Sequence, residues 1–149
     1  MTDDDESDLP VPHPGFAAHF TDPLYEDEGE ELAPFGSDEG WDLVREWGER
    51  RDELSADATV QEVLDESPFP EAVAHLGDPD ERVPGPLGGM DAATFVIASG
   101  FTLLRLTGRI DDEGRAATLR ALDALAEHVG PRPEIDLMRR DLSAVVPSP

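Results

Sequence analysis

The stretch from Ala92 to Leu104 runs for thirteen residues without a charged side chain, between Asp91 and Arg105. A membrane-spanning helix needs about 20 apolar residues, so this run is too short to cross a bilayer and predicts a core helix. Phe95, Val96, Ile97, Phe101, Leu103, Leu104 and Leu106 lie all around the helical wheel. A helix that is apolar on every side has to be enclosed by other elements. Asp91 is placed to cap its start. Gly108, following Arg105 in the last turn, is placed to end it in the left-handed position that glycine favours.

The remaining apolar residues follow the helical period. Ser37 is a candidate N-cap, with Asp38 and Glu39 in the first turn of a helix running to about Leu54; Trp41, Val44 and Trp47 are spaced for one face. Thr59-Val60-Gln61-Glu62 spells a capping box that opens a short helix through Val60, Val63 and Leu64. Pro68 and Pro70 end it, and Glu71 to Leu76 predict one or two further turns. Asp111 or Asp112 begins a helix with Leu119, Leu122, Ala126 and Val129 on its apolar stripe, stopped by Gly130-Pro131. Ile135, Met138, Leu142 and Val145 mark a last helix. No run alternates as a strand.

These elements predict an all-α fold: a small helical bundle whose irregular N-terminal third is pinned to the core by Phe16, Phe20 and Tyr25. A chain of 149 residues is about one domain and hides about 68–70% of its unfolded surface without staples. The expected organisation is a flexible acidic arm over residues 1–14 and a single helical domain over 15–149. The arm holds three prolines and five acids with little to bury. A Pro/Gly-rich loop at 77–89 divides an acidic N-terminal half from a C-terminal three-helix half.

Charge is distributed as unevenly as structure. The chain carries 35 acids against 11 arginines and has no lysine. Residues 1–66 hold 22 acids and 3 arginines, and residues 67–149 hold 13 acids and 8 arginines. Nucleic acids and anionic membranes both require a cationic face, so neither is an expected direct partner. A basic protein is. Acidity of this size also arises from proteome-wide bias, which accounts less well for its concentration in one half.

The absences are informative about chemistry. Without cysteine there is no disulfide, thiolate–zinc site or cysteine nucleophile. Without lysine there is no phosphate-loop lysine or Schiff base, and Gly85-Pro86-Leu87-Gly88-Gly89 follows no strand. The acidic start Met1-Thr2-Asp3-Asp4-Asp5-Glu6 is unlike a signal peptide, and the expected location is cytoplasmic. Neither Gly-x-Ser-x-Gly nor His-Glu-x-x-His occurs. His13, His19 and Asp22 are of the type that binds zinc or iron, and they make a metal-dependent module or enzyme the alternative reading. The run Glu26-Asp27-Glu28-Gly29-Glu30-Glu31 lacks the ligand order of a calcium loop. Asp38 and Asp42 share a helical face, but acids at a helix start have a structural role there. No cofactor is expected.

Asp22-Pro23-Leu24-Tyr25, the segment Glu31 to Gly40 with its Pro34-Phe35-Gly36-Ser37-Asp38-Glu39-Gly40 block, and the segment Phe101 to Asp111 resemble the YfeS-like family of small acidic bacterial proteins. The resemblance takes in about half the chain and implies a compact bacterial domain. It departs from the family in the loop 77–89 and the arginine-containing last helix, and it carries no catalytic residue. The expected function is a non-enzymatic acidic interaction domain, of inhibitor or immunity type, that engages a basic protein. Its candidate contact residues are Glu30, Glu31, Asp38, Glu39, Asp42, Glu46 and Glu49. A housekeeping domain whose acidity is only proteome bias is the further alternative.

Overall fold

The computed structural model describes residues 9–30, 32–55, 57–76 and 89–145. Among these the fold is all-α, with α1 Pro14–His19, α2 Asp38–Glu49, α3 Val60–Asp65, α4 Gly89–Thr107, α5 Asp112–Val129 and α6 Pro133–Ser143. Short 3-10 turns at Pro23–Glu26, Arg51–Glu53 and Ala72–His75 complete them. Residues 1–8, Glu31, Ala56, residues 77–88 and residues 146–149 lie outside the described residues. With them go most of the expected arm and almost all of the 77–89 loop.

The uncharged run is the centre of the molecule. Every residue from Phe95 to Leu106 is buried, and α4 packs against α5, α2, α3, α1 and the Ala72–His75 turn. α6 packs on α5. The start of α4 differs from the sequence expectation: the helix begins at Gly89, and Asp91 sits in its first turn instead of capping it. The far end is as expected. Gly108 has φ +73° and donates its N–H to the Leu104 carbonyl at 2.8 Å. A side chain there would also collide with the His13 ring. The other late carbonyls of α4 are met by the Thr107 hydroxyl on Leu103, the His13 N–H on Arg105 (2.7 Å) and the Arg51 guanidinium on Leu106. A helix terminus inside a fold needs such outside partners, and here the N-terminal segment supplies one of them.

Phe16, Phe20 and Tyr25 do pin that segment. Phe16 stacks on Phe20 at 4.7 Å, and Tyr25 stacks on Phe101 of α4 at 5.7 Å. Tyr25 also donates its hydroxyl to Asp141 of α6 at 2.8 Å. Burial first, then the Asp141 carboxylate, pushes the Tyr25 phenol far above its ordinary range, so it remains a donor. The pinning begins earlier than composition suggests. Leu9 is buried, and Pro10 packs where Gly48 of α2 has no side chain.

Two apolar stripes are rotated from their expected positions. On α5 the buried face is Gly114, Ala117, Thr118, Ala121, Leu122 and Leu125, while Leu119, Ala126 and Val129 are only partly covered. Small residues let α5 approach α4, so the stripe follows size as well as hydropathy. On α2 the buried residues are Leu43, Val44 and Trp47, and Trp41 stands on the flank. The helix stops at Glu49, and the Arg51–Glu53 turn takes the chain on to Leu54.

Asp111 joins two helix starts. Its Oδ1 accepts from the Val60 N–H of α3 and its Oδ2 from the Gly114 N–H of α5, each at 2.9 Å. The Thr59–Glu62 capping box meets the Glu62 N–H of α3 and the Thr59 N–H before it. Asp111→Ala orphans one donor on each helix and is expected to cost about 1–3 kcal/mol in urea unfolding. A loss below about 0.5 kcal/mol, within the scatter of ordinary surface changes, would show that water replaces both caps.

Candidate functional site

α2 is two-faced because its sequence alternates at the helical period. Gly40, Leu43, Val44 and Trp47 face the core, and Glu39, Asp42, Glu46 and Glu49 follow one another along an adjoining, more open side. Ser37 starts it by accepting from the Gly40 N–H at 3.0 Å. Gly40 must be glycine because a side chain there would strike the Pro34 carbonyl. That close approach accounts for the final glycine of the Pro-Phe-Gly-Ser-Asp-Glu-Gly block.

The acidic side of α2 borders a cavity of about 400 Å³, walled by Glu39, Asp42, Glu46 and Glu66 with Leu43, Ser67, Pro68 and Phe95. A second cavity of about 330 Å³ lies between α2 and α3, walled by Trp47, Glu53, Leu54, Ser55, Ala58, Glu62, Asp65 and Glu66. Glu66 belongs to both. Between them Arg50 grips Glu66 through Nη1 at 2.8 Å and Nη2 at 3.2 Å, and Glu53 through Nε at 3.2 Å and Nη2 at 3.0 Å. Glu46 is a third, longer contact at 3.4 Å. The guanidinium lies over the Trp47 ring at 4.4 Å. Hydrogen bonds from Arg50 hold the Glu53 and Glu66 carboxyls below the usual carboxylate range, and the same bonds raise the arginine's own value further.

Three of the expected contact residues, Glu39, Asp42 and Glu46, therefore share one cavity, and Glu49 is exposed one turn further along α2. Glu30 is not among them. It accepts from the Leu32 N–H at 3.2 Å and lines a different cavity with Asp22, Asp27 and Glu134. Glu31 and the side chain of Asp38 lie outside the described residues. Sequence reasoning missed Arg50, Glu53 and Glu66. The available signal was the spacing of Arg50 four residues after Glu46 and three before Glu53, which places them together around one end of α2.

His13, His19 and Asp22 are engaged elsewhere. His13 Nδ1 caps α1 by accepting from the Gly15 N–H at 3.0 Å, and His19 Nε2 donates to the Asp141 carbonyl at 2.7 Å. Asp22 accepts from the Leu24 N–H at 2.9 Å. Among the described residues no group of three or more histidines and acids is arranged to hold a metal ion, and no helix is long and apolar enough to cross a membrane. Trp41 donates to Glu28 at 3.0 Å beneath the Arg45 guanidinium.

No family model matches the chain, and no solved structure matches it significantly. Among curated proteins, the protein YfeS of Escherichia coli (strain K12), described as uncharacterized, is 57% identical over 44 residues. The chain is similar to YfeS over that stretch. It covers 28% of this chain, less than the half suggested by the motifs, and 18% of the relative. The chain thus matches about a fifth of the length of YfeS, and no activity is transferred from it.

Proposed function

We propose that this is a non-enzymatic, cytoplasmic interaction domain that binds a basic protein through the acidic face of α2. The observation that carries the reading is the meeting of Glu39, Asp42, Glu46 and Glu66 around a cavity whose other walls include Leu43, Pro68 and Phe95. Charge around an apolar floor suits protein recognition, since the charges steer the encounter and an apolar anchor supplies buried area. Among the described residues neither Glu39 nor Asp42 has an ion pair. Their field is therefore not cancelled locally.

Proteome bias and a binding face differ in whether the position of the acids matters. Glu39, Asp42 and Glu49 reversed to Arg, and Asp112, Glu113 and Glu127 reversed to Arg, each remove three of the 35 acids and add three cations. The long-range field changes equally. A basic partner recovered from the native cell at low salt is expected to associate about tenfold more slowly with the first variant, and its salt dependence is expected to flatten. The second variant is expected to bind as the parent does. Equal losses would reduce the acidity to bulk charge.

A further inference from the structure

Away from α2, a cavity of about 370 Å³ opens between α3, α5 and the Ala72–His75 turn. The fold holds its walls in place. Asp111 ties the starts of α3 and α5 together through the Val60 and Gly114 N–H groups, and Gln61 ties α3 to the Pro70 carbonyl at 3.0 Å. Gly114 lets the two helices close up, since a side chain there would strike Val60. Val60, Val73, Ala116 and Ala117 make the lining apolar.

Two opposite charges also line it, Glu113 and Arg120. They are seven residues apart on one face of α5, about 10.5 Å along its axis, with Ala116 and Ala117 between them. Neither has an ion pair among the described residues. For Arg120 this is out of keeping with a chain in which acids outnumber arginines 35 to 11. Arg50, Arg105, Arg139 and Arg140 are each matched with a carboxylate, and Arg51 and Arg115 with carbonyls. Both oxygens of Asp111 already accept from N–H groups. The free charges of the cavity are therefore one cation and one anion. A simple anion would be opposed by Glu113 and by the field of a chain of net charge −24, and a simple cation by Arg120. A ligand that carries both charges and is neutral overall meets neither obstacle.

We propose that this cavity binds a short peptide with both ends free, of dipeptide length and with small apolar side chains. Its ammonium group meets Glu113 and its carboxylate takes the Arg120 guanidinium in a two-pronged pair. Its side chains rest on Val60, Val73 and the two alanines. Two extended residues span at most about 7 Å. With a charge-assisted contact near 2.8 Å at each end, they cover the separation of the two charges, whereas a single amino acid falls short of it. The site is separate from the acidic face of α2 and does not depend on the reading of that face.

The test is calorimetric titration with the dipeptide alanyl-valine, beside its N-acetylated and C-amidated forms and free valine. The unmodified dipeptide is expected to bind, and each blocked form to bind about tenfold more weakly. Arg120→Gln is expected to weaken the unmodified dipeptide about tenfold and to leave the amidated form unaffected, because that form has no carboxylate to lose. Glu113→Gln is expected to do the same for the unmodified and acetylated forms. Both side chains are exposed, so neither substitution threatens the fold. Ala116→Phe fills the cavity from an exposed position and is expected to abolish binding with the melting temperature unchanged. Free valine binding as tightly as the dipeptide overturns the proposed ligand. Absence of saturable binding, or binding indifferent to Arg120 and Glu113, overturns the site.

Discussion

Phe101→Ala is expected to cost about 3–5 kcal/mol. The ring is fully buried on α4, stacked on Tyr25 at 5.7 Å and met edge-on by Phe20 at 5.6 Å. Removing it takes away apolar burial and leaves a cavity between the central helix and the N-terminal segment. Aromatic pairing adds about 0.5–1.5 kcal/mol per contact beyond area. The segment 14–26 reaches α4 largely through this cluster, so the cavity cannot close without shifting Tyr25 away from Asp141. Domains are stable by only about 5–15 kcal/mol in total, and the variant is expected to be partly unfolded at ordinary temperatures. Urea denaturation followed by circular dichroism measures it. A midpoint close to that of the parent would mean that the N-terminal aromatics repack freely around the gap.

Arg105→Ala is expected to rank second, at about 3 kcal/mol, and its effect is concentrated at the N-terminus. The side chain is 1% exposed, almost the opposite of what a helix-terminal arginine predicts. Its Nε donates to the Pro10 carbonyl at 2.7 Å, and Nη1 and Nη2 hold Glu26 at 2.7 and 3.1 Å. The guanidinium lies 5.3 Å from the Phe35 ring centre. Two effects compete here. Burying the cation is costly, but removing it withdraws the hydrogen bond to the Pro10 carbonyl and opens a cavity. Glu26 keeps 51% of its side-chain exposure, so its carboxylate rehydrates and contributes little to the loss. The loss therefore falls on the chain from Leu9 to His13. Amide exchange there is expected to accelerate more than in α5 or α6. Lysine at this position restores the charge without the planar fork, and Arg105→Lys is expected to recover less than half the stability. Full recovery by lysine would reduce the role of Arg105 to charge alone.

Much of the architecture was legible because it is local. Ser37, the Thr59–Glu62 box, Asp111 in its bond to Gly114, and Gly108 each act on backbone groups within four residues, and all four occupy the terminal positions that their chemistry predicts; the second bond of Asp111, to Val60, is long-range and was not legible. The stripes of α2 and α5 are turned because the neighbour across the interface decides which residue is covered. Asp91 does not cap α4 because the helix already begins at Gly89. Trp41 and Leu43 are both apolar, but only Leu43 is enclosed. The acidic stripe Glu39–Asp42–Glu46–Glu49 was visible for the same local reason, as one side of a helix. The cleft beside it was not, because Glu66 and Phe95 reach it from other elements.

The sequence by itself determined that the chain is helical and that the uncharged run lies at its centre. It also located most of the helix ends and placed the acid on one side of α2. Hydrophobic period and capping are short-range rules, and a chain carries them whatever it folds against. Tertiary structure alone decided what the charges do. Arg105, one residue past the uncharged run, becomes a buried tie to Pro10 and Glu26. Arg50, in the same background of acids, stays at the surface and closes a cleft. Both are arginines at helix ends, and the difference lies in which distant carbonyls and carboxylates the fold brings within 3 Å or so of each guanidinium. Glu46 and Glu53 lie at helical spacing from Arg50, but its reach to Glu66 and that of Arg105 to Pro10 and Glu26 follow no period.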